Sequence, residues 1–436
     1  MGSAIRNFIW MPHGSHVFDL ESCLEDVTTL QDAVGHFALH QKTPAGVHLL
    51  ARDRLGVNKL FYTVDKETLV SSNFWFELIH CGYAPDSVWS IPSGHFAIYR
   101  SGEARPLLQR YTSLQFGQGR TVSEKEIASY ASRIQMRLRS IFNTIRHWSV
   151  NRRIYISLSG GLDSTAIAVL AREYLGEFTA VTFGVTQSPN DQILSEDLIV
   201  ARRVAEQLGV PFKAILVSPE QVLEAVDSVL LYGQDWREFN VHCALVNAAI
   251  GRAIRDDYSL SRPTSAPLLL TGDVMNELMA DYTPVQYKGK EYYPLPRLPV
   301  GRLRELLVAG LDSGDREVGI MNYYGVEIIQ PYALCADVYA ALPACLLAQA
   351  RAKQDLARRV FGNDIPDYVY ARLKTRAQEG TAGHATGTLA ACIDGGIDSE
   401  WLKRRFGQLY GIDPVQLQRF IRGGYYRFDA AAKRGT

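Results

Sequence analysis

The chain has 436 residues and a mass of 48.7 kDa, which predicts two or three domains. Its 46 basic residues balance its 46 acidic residues, which argues against a general nucleic-acid binder. The sequence has no apolar run long enough for a membrane helix, no evident secretion signal and no C-x-x-C pair. We therefore expect a soluble cytoplasmic protein without a zinc site or a membrane partner.

Residues 1–115 are predicted to form a small β-rich domain. Short apolar runs at 46–51, 60–63 and 94–99 alternate with turn residues, as in antiparallel strands. The polar stretch 112–121 has no apolar period and is predicted to be a linker.

A long helix is predicted directly after the linker. Ser123 and Glu126 have the spacing of a capping box, and apolar residues then recur every three or four positions as far as Trp148. This helix opens the second predicted domain, 122–436.

Strands and helices alternate after this helix. Strands are predicted at 153–158, 179–185, 212–217 and 267–271, and helices at 164–175 and 195–208. Continuous apolar strands separated by helices indicate an α/β fold, in which a parallel sheet has helices on both faces. Ligands of such sheets bind at the carboxyl ends of the strands. The remainder, from about residue 300, is predicted to be mostly helical.

The strongest motif, S-L-S-G-G-L-D-S-T, lies where the first parallel strand ends and its helix begins. Two glycines let the backbone approach an anion closely, and the N–H groups of the helix start point at it. An aspartate in such a loop is understandable if Mg²⁺ lies between it and the phosphates. The motif therefore predicts Mg²⁺ and ATP as ligands, with contacts from Ser157, Leu158, Ser159, Gly160, Gly161, Asp163 and Ser164.

The letters G-G-x-D-S occur a second time, at 395–399. The preceding residues are only weakly strand-like, and the following ones lack the apolar character of a sheet-covering helix. This second copy is predicted to be a loop and a helix cap.

The first motif resembles the S-G-G-x-D-S loop of ATP pyrophosphatases, which split ATP into AMP and pyrophosphate. Residues 51–62 resemble the A-R-D-R-x-G-x-x-P-L-Y-Y stretch of asparagine synthetase B-type proteins, and residues 272–282 resemble their G-E-G-S-D-E-L-F-G-G-Y. Residues 372–374 match their R-x-K. The chain thus resembles the asparagine synthetase B-type and β-lactam synthetase family, which implies a synthetase domain behind a shortened, structural domain of the glutaminase (Ntn) type.

The resemblance also implies roles for single residues. Lys374 would contact ATP and stabilise negative charge on the α-phosphate, and Asp273 would accept a proton from the attacking amine. Gly272 would lie against the nucleotide, while Asp163 and Asn276 would hold Mg²⁺, although Asn276 replaces the family's aspartate and brings no charge.

Glutamine-using members of the family need an N-terminal cysteine, whereas this chain has Gly2 and its first cysteine is Cys23. The nitrogen is therefore expected to come from an amine. The predicted function is an AMP-forming amide synthetase that adenylates a small-molecule or peptide carboxylate in a specialised pathway, such as antibiotic biosynthesis. Two alternatives remain: an intramolecular lactam or macrolactam synthetase, and an inactive binding partner in a biosynthetic complex. The sequence does not indicate the substrates or the oligomeric state.

Overall fold

The structure is a computed structural model that describes residues 8–10, 30–31, 33–66, 68–119, 121–186, 195–259, 265–312, 316–372, 380–381, 384–385, 387–413, 415–417, 421–422 and 425–426. Gly2, Cys23 and Lys374 lie outside the described residues. Within the described ranges, no helix combines the length and apolar character needed to cross a bilayer.

Strands β1 to β9 of the N-terminal part span Phe8–Trp10, Val34–His36, Ala38–Lys42, Val47–Arg52, Phe61–Asp65, Thr68–Ser72, Trp89–Ser90, His95–Arg100 and Leu107–Arg110, and helix α1 spans Trp75–His80. The strands form an antiparallel pair, β1-β2, and two larger antiparallel sheets: the first has the order β3-β4-β8-β9 and the second has the order β6-β5-β7. Leu50 and Ala97 of the first sheet pack with Tyr62 and Leu69 of the second in one apolar cluster. The prediction of a β-rich N-terminal part is confirmed.

Arg52 closes the loop that follows β4. It is 1% exposed, and its guanidinium donates hydrogen bonds to the carbonyl oxygens of Gly56, Asn58 and Ile91, at 2.5, 2.7 and 2.8 Å. The carboxylate of the next residue, Asp53, accepts backbone N–H bonds from the same loop. This arrangement gives the Arg-Asp pair a structural role, because a buried guanidinium needs several acceptors.

A long helix, α2 (Glu124–Trp148), links this part to the rest of the chain. The predicted capping box is present, since Ser123 and Glu126 exchange hydrogen bonds at its N-terminus. Ile127, Ile134 and Leu138 lie on its buried face, as the sequence period predicts.

The centre of the molecule is a five-stranded parallel sheet of order β12-β11-β10-β13-β16. Strands β10 to β16 span Ile154–Ser157, Thr179–Val185, Phe212–Val217, Leu268–Leu270, Val285–Tyr287, Lys290–Tyr292 and Glu327–Ile329, and β14 and β15 form a separate hairpin. The four predicted strands are confirmed. The fifth, β16, was missed, because three residues carry too little pattern to separate a strand from the helical region around it.

Helices cover both faces of this sheet. Helices α3 to α7 span Leu162–Tyr174, Glu196–Leu208, Pro219–Glu224, Val226–Tyr232 and Glu238–Ser259. On one face, the side chains of Leu198 in α4 and Leu216 in β12 meet over Gly184. Helix α7 contacts β11 and β12, the same two strands that α4 contacts, from the other face. The predicted arrangement, a parallel sheet with helices on both faces, is confirmed.

The remainder of the described chain is mostly helical, as predicted. Helices α8 to α17 span Met275–Met279, Val300–Ala309, Val318–Tyr324, Pro331–Leu334, Ala336–Ala340, Ala344–Leu347, Ala352–Phe361, Asp367–Ala371, Thr388–Asp394 and Ser399–Tyr410, and β17 to β20 span Gly380–Thr381, His384–Ala385, Ile421–Arg422 and Tyr425–Tyr426. The N-terminal part packs against this region, where the rings of Trp75 and Tyr410 are 5.1 Å apart. It also contacts the chain just after α6, where the backbone N–H of Trp75 donates to Gln234 Oε1 at 2.7 Å.

Candidate active site

A cavity lies at the carboxyl ends of β10 and β13, where the strand order reverses direction. Its walls come from segments far apart in sequence: the first G-G-x-D-S loop, helix α7, the loop after β13, the residues at 316 and 317, and the helices near 353 and 372. Lining residues include Ser157, Ser159, Gly161, Asp163, Ser164, Thr271, Gly272, Asp273, Asn276, Asp281, Glu317, Lys353 and Arg372. Such a crevice between diverging crossovers is where open α/β sheets bind ligands.

The first G-G-x-D-S loop is held by its own hydroxyl groups. Ser164 Oγ accepts a hydrogen bond from the backbone N–H of Ser159 at 3.1 Å and lies 3.0 Å from Ser159 Oγ. Helix α3 begins directly afterwards, and its N-cap residue Gly161 makes no side-chain cap bond. Its first-turn N–H groups therefore lie beside the cavity without a capping side chain, which is the arrangement that favours an anion.

Gly160 has a packing role in this loop. Its φ is +70°, and a Cβ there would lie 2.7 Å from Val200 and 2.8 Å from the backbone nitrogen of Ala201. Gly160 does not line the cavity among the described residues, and neither does Leu158. Leu158 is fully buried, and its N–H pairs with the carbonyl oxygen of Val181 in the sheet.

The loop after β13 brings a second group of polar side chains to the cavity. Gly272 lets it approach α3, because a Cβ at this position would lie 2.8 Å from the backbone nitrogen of Ser164. Val274 and Ala280 flank α8 with φ angles of +76° and +52°. Residues other than glycine rarely adopt positive φ angles, so the surrounding structure must hold the backbone of this loop in an unfavourable conformation. Such strained backbone is common at functional sites.

Lys353 lies at the centre of the polar wall. Its Nζ donates hydrogen bonds to Asp163 Oδ2 at 2.5 Å, Asn276 Oδ1 at 2.8 Å and Asp281 Oδ2 at 3.0 Å. Although burial alone would lower the pKa of Lys353, the two carboxylates outweigh it and raise that pKa. The lysine is therefore a positive charge beside the first G-G-x-D-S loop, residues 159–164, which is called the phosphate loop below after the ligand that its sequence predicts.

The same oxygen atoms fit a divalent cation. Two carboxylates and an amide carbonyl converge on one positively charged atom, and hard cations such as Mg²⁺ take oxygen ligands of this kind. Asp163 Oδ1 is in addition buried without a hydrogen-bond partner among the described residues. A buried carboxylate oxygen is costly unless a cation or donor reaches it.

A charged network lies deeper in the cavity. Arg316 contacts Glu277 at 2.7 Å and Glu317 at 2.5 Å. Burial raises the pKa of Glu317 to about 7, and burial also raises the pKa of Asp273. Carboxylates with raised pKa values in a cavity are suited to accepting a proton near neutral pH.

Arg372 joins the R-x-K segment to the phosphate loop. Its guanidinium donates to the carbonyl oxygen of Ser159 at 3.0 Å and forms ion pairs with Asp197 and, at 3.4 Å, with Glu196. The two acidic residues at the start of α4 therefore hold Arg372. Lys374, two residues further on, lies outside the described residues, and its role stays a prediction.

Lys353, Arg316 and Asp281 were not singled out from the sequence. One signal for Lys353 was present: it lies three and seven positions before Leu356 and Val360, which are on the buried face of α14. A lysine on an apolar face is usually paired or functional.

Comparison with known proteins agrees with these features. Residues 146–313 match the family model "Asparagine synthase". Human glutamine-hydrolysing asparagine synthetase is 26% identical over 263 residues, which cover 57% of this chain and 43% of the human protein. The central part of the chain is thus similar in sequence to asparagine synthetases.

The chain is also similar to a putative glutamine-hydrolysing asparagine synthetase of Mycobacterium bovis, which is 25% identical over 54% of this chain and 33% of its own length. The chain thus spans less than half the length of these relatives. Among solved structures, the NMN synthetase of Francisella tularensis matches with a TM-score of 0.32 and 12% identity, covering 70% of this chain and 90% of that one. The NH3-dependent NAD synthetase of Campylobacter jejuni matches with a TM-score of 0.23 and 18% identity, covering 41% and 73%.

Proposed function

We propose that the protein is an ATP-dependent, AMP-forming amide synthetase. A carboxylate oxygen of the substrate attacks the α-phosphorus of ATP, the bond to the β-phosphate breaks, and pyrophosphate leaves. An amine then attacks the resulting acyl-adenylate, AMP is expelled, and an amide forms. The observation that carries this proposal is the cavity where the Ser159–Ser164 loop opens helix α3 beside Lys353.

Each wall of the cavity suits one part of this reaction. The loop and the start of α3 favour the leaving pyrophosphate, because N–H groups and the helix dipole stabilise negative charge. Asp163 and Asn276 would hold Mg²⁺, which shields the charges of the phosphates when bound. Lys353 supplies a positive charge beside them, and Lys374 is proposed to stabilise charge at the α-phosphate.

The amine must lose a proton when the amide forms. Asp273 lies in the cavity with a raised pKa, which makes it a stronger base than an exposed aspartate. We assign this proton to Asp273, whose charge also helps to raise the pKa of the neighbouring carboxylate Glu317. A positioned base of this kind contributes roughly 10² to 10⁴ in rate.

We further propose an amine, and not glutamine, as the nitrogen donor. This part carries over the expectation that the N-terminal part is a shortened, structural domain of the glutaminase type. The structural role of Arg52 agrees with a supporting function for the N-terminal part. Comparison of free amines with glutamine in the same assay tests this point.

The decisive experiment measures the products made from ATP. Purified protein is incubated with Mg²⁺, ATP, a carboxylate library and an amine mixture, and AMP, ADP and pyrophosphate are separated by chromatography. We expect AMP and pyrophosphate with at least one carboxylate. Formation of ADP would contradict the proposal, and so would a failure to bind ATP in the presence of Mg²⁺. The product mass separates coupling of two molecules from closure of one, which loses a single water.

A further inference from the structure

The loop after β13 differs from the family motif at two positions that matter for charge. One difference removes a negative charge and the other adds one. Asn276 stands where the motif has aspartate, and Asp281 stands where the motif has glycine. One carboxylate is thus lost and another is gained five residues later.

The structure brings these two positions together. The left-handed conformation of Ala280 ends α8, and the backbone N–H of Asp281 then bonds to the carbonyl oxygen of Asn276 at 2.9 Å. Both side chains also reach the same atom, Lys353 Nζ, at 2.8 Å for Asn276 Oδ1 and 3.0 Å for Asp281 Oδ2. Asp163 of the phosphate loop contacts that atom from the other side.

The oxygens of this group already surround a positive charge, that of the buried Lys353. Asp163 and Asn276 alone would offer a divalent cation one carboxylate, whereas Asp281 raises the number to two. Ligand charge is a main determinant of affinity for hard divalent cations. The buried, unpartnered Asp163 Oδ1 leaves a further oxygen for a ligand that the described residues do not supply.

We infer that Asp281 is the second carboxylate of the divalent-cation site and replaces the charge that Asn276 lacks. In the structure the Lys353 ammonium lies between the three oxygens. A metal ion bound by these oxygens would take that place, and Lys353 would then be free to pair with the phosphates. This inference depends on the proposed function, because the metal enters with ATP.

The test measures how much a metal ion strengthens nucleotide binding. The probe is an ATP analogue with a methylene bridge between the α- and β-phosphorus atoms, which cannot be cleaved there. Its affinity for the full chain is determined by calorimetry with Mn²⁺ and again with EDTA, and the ratio of the two affinities is the readout. The variants are Asp281→Asn, the exchanged pair Asn276→Asp/Asp281→Asn, and the control Asp256→Asn, an exposed carboxylate on α7.

We expect Asp281→Asn to lower this ratio by about 10-fold or more, a loss typical of groups that support a metal site. The exchanged pair should recover the ratio of the unmodified chain, and Asp256→Asn should leave it unchanged. An unchanged ratio in Asp281→Asn, or no recovery in the exchanged pair, would overturn the inference. If Asp281→Asn alone does not fold, the exchanged pair decides.

Two further outcomes separate this inference from the proposed function. If the unmodified chain binds the analogue equally well with Mn²⁺ and with EDTA, the cation site is wrong while nucleotide binding stands. If it binds the analogue under neither condition, the proposed function is contradicted as well.

Discussion

Two segments of this chain share the letters G-G-x-D-S, and they do different things. In the first copy, Asp163 forms an ion pair with Lys353 in the wall of the cavity at the carboxyl ends of the parallel strands. In the second, Asp398 caps α17 by accepting a hydrogen bond from the backbone N–H of Trp401 at 2.8 Å. The sequence prediction of a loop and cap for the second copy is confirmed, although the residues before it form helix α16 and not a strand. The comparison shows that the same letters differ in their surroundings. Only the first copy follows the end of a parallel strand, precedes a helix without a capping side chain, and lies beside a buried lysine, Lys353.

The largest expected effect concerns Asp273, the proposed base beside the first copy. Asp273→Asn should slow amide formation by about 10² to 10⁴, because the amine loses its proton acceptor. Carboxylate-dependent exchange between ATP and pyrophosphate should fall much less, since that step precedes amine attack. Both rates are measured on the same preparation, and an equal loss in both would assign Asp273 to nucleotide or metal binding.

The next effect tests the lysine that the resemblance implies. Lys374→Ala should lower AMP formation by about 10² to 10³, the usual cost of removing one preorganised charge from a reaction site. The matched control is Lys403→Ala, which removes a lysine from the helix after the second copy and should leave the rate unchanged. Near-normal AMP formation in Lys374→Ala, with an unaltered thermal melt, would contradict the assignment.

Identical substitutions in the two copies compare them directly. Asp163→Asn should reduce AMP formation by about 10², because the substitution removes the charge that holds Lys353 and contributes to the cation site. Asp398→Asn should change neither the rate nor the free energy of unfolding by more than about 0.5 kcal/mol, since asparagine caps helices as well as aspartate does. Similar rates for the two variants would remove the distinction between the copies.

The smallest expected effect is one of stability alone. Asp398→Ala should lower the free energy of unfolding by about 1 kcal/mol, because the N-terminus of α17 loses its cap. Denaturant titration measures the loss, with Asp398→Asn as the control. The catalytic rate below the unfolding transition should not change, and a reduced rate there would indicate that the second copy also takes part in the reaction.

The sheet, its helices and the phosphate loop were predictable because their signals are local. Apolar runs, the capping box at Ser123 and the motif at 157–165 can each be read from a short window of sequence. The arrangement around Lys353 was not predictable in this way, because it depends on how α14 packs against two loops. The same applies to Arg316, which contacts carboxylates from different parts of the chain.

The resemblance to family motifs supplied what local patterns lacked, but only position by position. It indicated Asp273 and Asn276, which do lie in the cavity, and Gly272, whose main observed role is to permit close packing. It also drew attention to the Arg52 motif, whose arginine proves to be a buried structural residue. A match to a family motif thus predicts where a residue lies more reliably than what the residue does.

The contacts of Arg372 couple the proposed nucleotide site to helix α15. One guanidinium fastens the end of α15 to both the phosphate loop and the start of α4. Coupling between two sites is reciprocal. A nucleotide that stabilises the loop must therefore also stabilise the contacts of α15, and a change that weakens those contacts must lower the affinity for the nucleotide. Occupancy of the pocket should therefore be visible from outside it, as slower hydrogen exchange at residues 367–371.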